Sequence, residues 1–326
     1  MVRFRYPAAA LCVAATVLAG CGGSQPPIGN HGAVSQSRAI ATRADAGRSW
    51  MNPTAKREPL LYVSSSDNYE VYVYTYPKAK LVGKLAGFNF PAGLCSDSNG
   101  NVFITNYNGA DVIEYAHGGT KPVATLSDPG THPSGCAIDP TTGNLAVTGV
   151  LKSVNGPSQS GAFAIFSKAT GSPNLYSVPY ATTEFCGYDN KGNLFVDGMG
   201  WGEEPRFVLS ELGKGQTSAE TVSLDNSPGG PGAVQWHGQT LSIGDTYAQI
   251  YRYAIKAGSG TQVGSVEVNS RMGQFWIHGS RVIVPTYLGY NPPVQFYTYP
   301  GGAGPIKTIT DPQSPYGVTV SLPPSN

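Results

Sequence analysis

The residues best able to do chemistry in this chain are spread along it. One stretch, DGMGWGEEP from Asp197 to Pro205, sets Trp201 beside Glu203 and Glu204 in a glycine-rich run. An aromatic face with carboxylates next to it suits a sugar or a cationic group, the latter through attraction to the negative face of the ring. Asn106, Glu184 and Asp245 add polar oxygens beside strand-like segments, and Asn89, His132, Arg271 and Tyr287 lie in comparable connections. Asp197 before Gly198 and Asp245 before Thr246 also have the composition of ordinary turns. No GxSxG, HExxH or phosphate-binding loop occurs, and spacing assembles no nucleophile-base-acid set, so no catalytic residue is assigned. The five histidines do not cluster at metal-ligand spacing. His237 and His278 each precede a glycine and read as hairpin residues.

These side chains need a scaffold, and the stretch from Pro91 to Tyr115, PAGLCSDSNGNVFITNYNGADVIEY, shows its unit. A short apolar strand meets Asn99-Gly100, a strong hairpin signal, and NVFITN then alternates faces as a half-buried strand does. DVIEY is a third strand. The plan returns at Pro133 to Gly149 and at Glu184 to Gly198, and two further units turn at His237-Gly238 and His278-Gly279. The turn glycines Gly100, Gly143, Gly192, Gly238 and Gly279 are 43, 49, 46 and 41 residues apart, a propeller period. The first ordered segment, LLYVSSS, lacks a preceding innermost strand, and SPYGVTVSL at Ser314 to Leu322 supplies one at the other end. The fold predicted is all-β, a six-bladed β-propeller of four-stranded antiparallel blades in which the C-terminal strand completes blade 1 and closes the ring. In such a ring, connections from the outermost strand of one blade to the innermost of the next open on the same face as those between second and third strands. The first set carries Asn89, His132, Glu184 and Arg271, and the second carries Asn106, Asp197, Trp201, Glu203, Asp245 and Tyr287. That face is the expected ligand site.

Composition agrees with many turns and with no nucleic-acid partner. Charged residues make up 13% of the chain, the net charge is +1, and 42 glycines and 26 prolines supply turns. Cys95, Cys136 and Cys186 fall on innermost strands of consecutive repeats without a CxxC pair, and are expected to be reduced, buried thiols that pack as small apolar groups.

The PxG…D..GN cores at Pro91 to Asn101 and Pro133 to Asn144 resemble the NHL-repeat and YncE-like six-bladed propellers, a superfamily that includes the SMP-30/gluconolactonase type. The version at Glu184 to Asn193 lacks the proline, and the last two units depart further. The resemblance implies a fold that hosts binding modules and enzymes alike. Its alternative reading is a metal-dependent lactonase-like hydrolase or lyase, with Ca²⁺ or another divalent metal at the axial mouth held by Glu, Asn and Asp oxygens, for which Asn106, Glu184, Asp197 and Asp245 are candidates.

The N-terminus carries an address. Arg3 and Arg5 precede an apolar run from Ala8 to Leu18, too short to span a bilayer, and Leu18-Ala19-Gly20-Cys21 resembles the bacterial lipoprotein lipobox. That resemblance implies cleavage before Cys21, lipidation of Cys21 and a membrane anchor, with Gly22 favouring the outer membrane in a Gram-negative host. Residues 1–20 are the signal peptide, 21–58 the lipidated cysteine and a disordered tether against which Trp50 and Met51 can dock, and 59–326 the propeller. The expected protein is an extracytoplasmic, lipid-anchored monomer without a cofactor, binding a small molecule, a glycan or an envelope protein.

Overall fold

The computed structural model describes residues 47–128, 132–149, 160–202, 206–268, 270–287 and 292–324. Cys21, the signal segment and Glu203 lie outside the described residues. The regular structure of the described residues is almost entirely strand. A short β1 (Trp50–Met51) and a 3-10 helix (Pro53–Arg57) lead into β2 (Leu60–Ser65), β3 (Glu70–Thr75) and β4 (Leu81–Ala86). Two four-stranded antiparallel sheets follow: β5 (Pro91–Ser96), β6 (Val102–Asn106), β7 (Asp111–Tyr115) and β8 (Pro122–Ser127), then β9 (Pro133–Ile138), β10 (Leu145–Gly149), β11 (Ala162–Phe166) and β12 (Asn174–Ser177). An eight-stranded sheet contains two more antiparallel quartets: β13 (Thr182–Tyr188), β14 (Leu194–Met199), β15 (Phe207–Leu212) and β16 (Glu220–Leu224), then β17 (Val234–His237), β18 (Thr240–Asp245), β19 (Gln249–Lys256) and β20 (Ser259–Glu267). Parallel pairing of Ser223 with Ser259 and Leu224 with Gly260 joins them at their outer strands. The last quartet is β21 (Trp276–His278), β22 (Arg281–Pro285), β23 (Val294–Thr298) and β24 (Gly302–Ile309).

The C-terminal strand β25 (Pro315–Ser321) does not extend that sheet. It returns to pair antiparallel with β2, so the first sheet runs β1-β4-β3-β2-β25. The first strands of successive quartets lie against one another. A Cβ on Gly317 of β25 would sit 2.1 Å from the Ala92 carbonyl of β5, and one on Gly93 of β5 would sit 2.3 Å from the Ser134 carbonyl of β9. Only glycine permits so close a backbone approach. The series continues from β9 to β13, to β17, to β21 and back to β25. Between neighbouring sheets lie apolar cores: Leu60, Tyr62 and Val71 of the first sheet pack with Leu94, Val102 and Ile104 of the second. This is a propeller-like all-β architecture.

The hairpins follow from local chemistry. Gly100, Gly143, Gly192, Gly238 and Gly279 all have positive φ, between +59° and +87°. Asp97 accepts backbone N–H bonds from Asn99 and Asn101 at 2.9 and 2.8 Å, and Asp189 does the same for Lys191 and Asn193 at 2.8 and 2.9 Å. Each Asp-to-Asn interval is thus a turn closed by its own carboxylate.

Two expectations need correction. Cys95 and Cys136 form a disulfide, with Cα atoms 5.7 Å apart, and among the described residues only Cys186 is free, a buried thiol. Residues one repeat apart on neighbouring innermost strands are spatial neighbours, and their separation of 41 residues is one such repeat. Order also begins before residue 59. Trp50 and Met51 pair with Lys84 and Gly83 on the outer edge of β4, and Asn52 caps the 3-10 helix, its side chain accepting from the Thr54 N–H. The small Gly83 leaves the space that the Met51 thioether occupies.

Candidate functional site

A bulge repeated in the innermost strands builds the site. Register slips between Pro91 and Leu94 in β5, in β9 after Pro133, between Thr183 and Cys186 in β13, and after Pro315 in β25. An extra residue in one strand re-aims a side chain. The residues at this step are Ala92, Ser134, Glu184 and Tyr316, and alignment on the same register places Gly232 and Gly273 there in the other two quartets. Four of the six are Gly, Ala or Ser. The small set leaves room for the two large members, and a Cβ on Gly273 would meet the Tyr316 ring at 3.3 Å.

Glu184 is held from behind by its own backbone: its carbonyl accepts from the Ser134 hydroxyl at 2.6 Å and the Thr148 hydroxyl at 2.7 Å. Its side chain is half-buried. Burial pushes its carboxyl up to about 7, with the Thr182 hydroxyl pulling the other way. Tyr316 stacks on Phe185, with ring centroids 6.3 Å apart and planes 24° apart. Its phenol is raised first by burial and then by the nearby Glu184, Tyr107, Tyr287 and Asp197. Tyr107, also raised by burial and then by Glu184, stacks on His132 at 4.5 Å and 19°. Tyr107 and Tyr287 occupy equivalent places, each one residue past the polar residue, Asn106 or Thr286, that pairs with the residue before the bulge, Pro91 or Met272. Arg271 lies over the Tyr247 ring at 5.2 Å, and its carbonyl accepts from the Tyr287 N–H at 3.2 Å. The mouth thus combines one carboxyl of raised pKa with Tyr107, Tyr287 and Tyr316.

Of the sequence-predicted residues, Glu184, His132, Arg271 and Tyr287 belong to this setting. Three others are spent on architecture. Asn106 is buried; its carbonyl oxygen accepts from the Asn89 N–H at 2.6 Å and its amide donates to Asp111 at 2.8 Å. Asp245 is buried and accepts from Gly229 and Tyr247 N–H groups at 2.8 and 2.9 Å. Asp197, in β14 rather than a turn, is fully buried and accepts from Phe185 and Gly232 N–H groups at 2.7 and 3.0 Å. Burial holds its carboxyl well above the usual range, and the Glu184 charge adds to the rise. It stands where Thr105 and Thr148 stand in β6 and β10, and like their hydroxyls it ties its own innermost strand to the next. Asn89 is half-buried and donates to the Asn108 carbonyl at 3.2 Å. Trp201 is 47% exposed.

Asn106, Asp197 and Asp245 each satisfy backbone donors in different quartets, and among the described residues no group of three or more His, Cys, Asp or Glu could hold a metal ion. Sequence reading missed Tyr316 and Tyr107. The signal for Tyr316 was the middle position of the PxG core, where PYG replaces PAG and PSG.

Fold and site together define an all-β, propeller-like protein with an aromatic and acidic mouth where its innermost strands begin. No protein-family model matches the sequence, and no curated protein matches it. The structure is similar to a chain of the solved Nidogen/Laminin complex, with a TM-score of 0.65 and 14% identity over 82% of this chain and 100% of that one. It is also similar to a functionally unknown protein from Desulfotomaculum acetoxidans DSM 771, with a TM-score of 0.57 and 10% identity over 81% of this chain and 99% of that one. At these identities the likeness is one of fold.

Proposed function

We propose that the protein is an exported, lipid-anchored binding module: a six-bladed propeller closed by β25, tethered through Cys21 to the cell envelope, which binds a cationic or sugar-bearing ligand at the Glu184 mouth. The single observation that carries the binding site is the half-buried Glu184 carboxyl among Tyr107, Tyr287 and Tyr316. A carboxylate with aromatic faces beside it suits a cationic group above pH 7, and aromatic rings also stack on sugars. The similar chain in the Nidogen/Laminin structure comes from a protein complex, which supports an interaction role for this architecture. The lipobox residues Leu18 to Cys21 support the anchor.

The test is ligand-observed NMR on the full chain with choline and with methyl glycosides. Saturation transfer to at least one probe class, lost in Glu184→Ala and reduced in Trp201→Ala, the latter with an unchanged melting temperature, is expected. Transfer that survives both substitutions would move the site elsewhere.

A further inference from the structure

The opposite end of the axis carries a cavity of about 220 Å³, bounded by the later halves of the innermost strands and by the exposed hairpin residues Pro140 and Asn190. We infer that it is a binding site for a neutral, flat molecule of one or two fused rings, separate from the Glu184 mouth.

Charge is the first ground. No Asp, Glu, Lys, Arg or His side chain lines the cavity. A charged ligand would lose its hydration without gaining a counter-charge. Shape is the second: Phe185, Tyr188, Trp236, Phe275 and Trp276 all contribute to the wall. Trp236 is fixed by stacking on Phe195 at 6.2 Å and 12° and by donation from its indole N–H to the Gly238 carbonyl at 3.0 Å. The third ground is that the wall's long amides are already committed. Gln235 exchanges two bonds with the Ile277 backbone, at 2.7 and 3.0 Å. Gln274 accepts from Leu94 and Val318 N–H groups, both at 2.9 Å, and donates to the Leu94 carbonyl at 2.7 Å. These two side chains reinforce the ring, so the polar groups left to orient a ligand are uncharged ones: Ser96, Tyr188, Asn190 and the strand backbone. An apolar cavity of about 150 Å³ accommodates benzene, so this larger one has space for a single or fused ring. Phe185 lines it, whereas Glu184 and Tyr316 do not, and the Tyr316 ring stacks on Phe185 between the two sites.

The experiment uses the full chain labelled with 5-fluorotryptophan, whose four tryptophans, Trp50, Trp201, Trp236 and Trp276, report different regions. Indole, indole-3-carboxylate and tryptamine share one frame and differ in charge. Indole should shift the ¹⁹F signals of Trp236 and Trp276 and leave Trp50 and Trp201 unmoved, with affinity about tenfold or more above either charged probe. The same shifts should persist in Glu184→Gln, whose substitution lies at the other mouth, and should vanish in Ala137→Phe, which fills the cavity. Absence of the indole shifts, equal response to all three probes, or movement of Trp201 in their place would overturn the proposal. The wild-type shifts decide it even where Ala137→Phe fails to fold.

Discussion

The Tyr316 ring rests against Phe185, 6.3 Å between centroids, and this one stack separates the two ends of the axis. Tyr316 faces Glu184 and the tyrosines beyond it, whereas Phe185 lines the uncharged cavity beneath. One neighbouring position in the repeat thereby gives the ends different chemistry: an acid and phenols above, indoles and apolar rings below. The testable consequences concern the acid, the latch behind it, the disulfide and the closing strand.

Glu184 makes stability depend on pH in a definite direction. Its carboxyl is raised from 4.5 to about 7 by burial, so the folded protein holds a proton that the unfolded chain releases. Stability from this group is present in full below pH 4.5 and is lost as pH rises to about 7. Glu184→Gln cannot lose that proton. Its melting temperature relative to the wild type should therefore climb between pH 4.5 and 7 and level off above, as scanning calorimetry at several pH values would show. A difference that stays flat with pH would refute the shifted carboxyl.

Asp197 is predicted to be structural. Asp197→Ala removes the acceptor for the buried N–H groups of Phe185 and Gly232, at about 1–3 kcal/mol for each orphaned donor. Chemical denaturation should show a loss of about 2–6 kcal/mol, with Asp197→Asn intermediate because its amide can accept from only one of the two. Unchanged stability would mean that the carboxylate is not the latch.

Thiol counting tests the cysteine assignment together with the anchor. If Cys21 is lipidated as proposed, the mature protein unfolded without reductant should expose one alkylatable thiol, Cys186, and after reduction three. An additional thiol in both counts would mean that Cys21 is unmodified, and three before reduction would mean that Cys95 and Cys136 are not paired. Loop-closure entropy across 41 residues gives the bridge about 4 kcal/mol, so Cys95→Ala with Cys136→Ala should unfold at clearly lower denaturant.

How much could be read beforehand divides along the repeat. The strands, the hairpin glycines and the pairing of the C-terminal segment with LLYVSS were legible, because period-2 alternation and Asn-Gly or His-Gly turns are local signals. The disulfide was not, since a linear search for closely spaced cysteines overlooks that one repeat period brings positions 95 and 136 side by side. Asp197 and Asp245 looked like turn residues because each precedes a turn-forming residue, yet both carboxylates are buried against backbone donors from other segments. Glu184 was legible as a polar residue in an innermost strand. Its partner Tyr316 was hidden in a segment read only for ring closure.

Ring closure by β25 predicts a cost well beyond that of losing a tail. Removing residues 314–326 takes away the pairing with β2 and the buried Val318 and Val320, which alone represent about 3–6 kcal/mol of apolar burial. Circular dichroism of the truncated chain should show a much lower melting temperature or no cooperative transition. A melt like that of the full chain would contradict closure.

The most direct test of the central claim places 3-fluorotyrosine at position 316 and follows its ¹⁹F resonance during addition of choline. At pH 8, where the Glu184 carboxyl is charged, the resonance should shift in a saturable way, and at pH 5 the response should be weaker because that carboxyl holds its proton. A Tyr316 signal that does not move at pH 8, or that moves equally at both pH values, would contradict a cation-binding site at the Glu184 mouth.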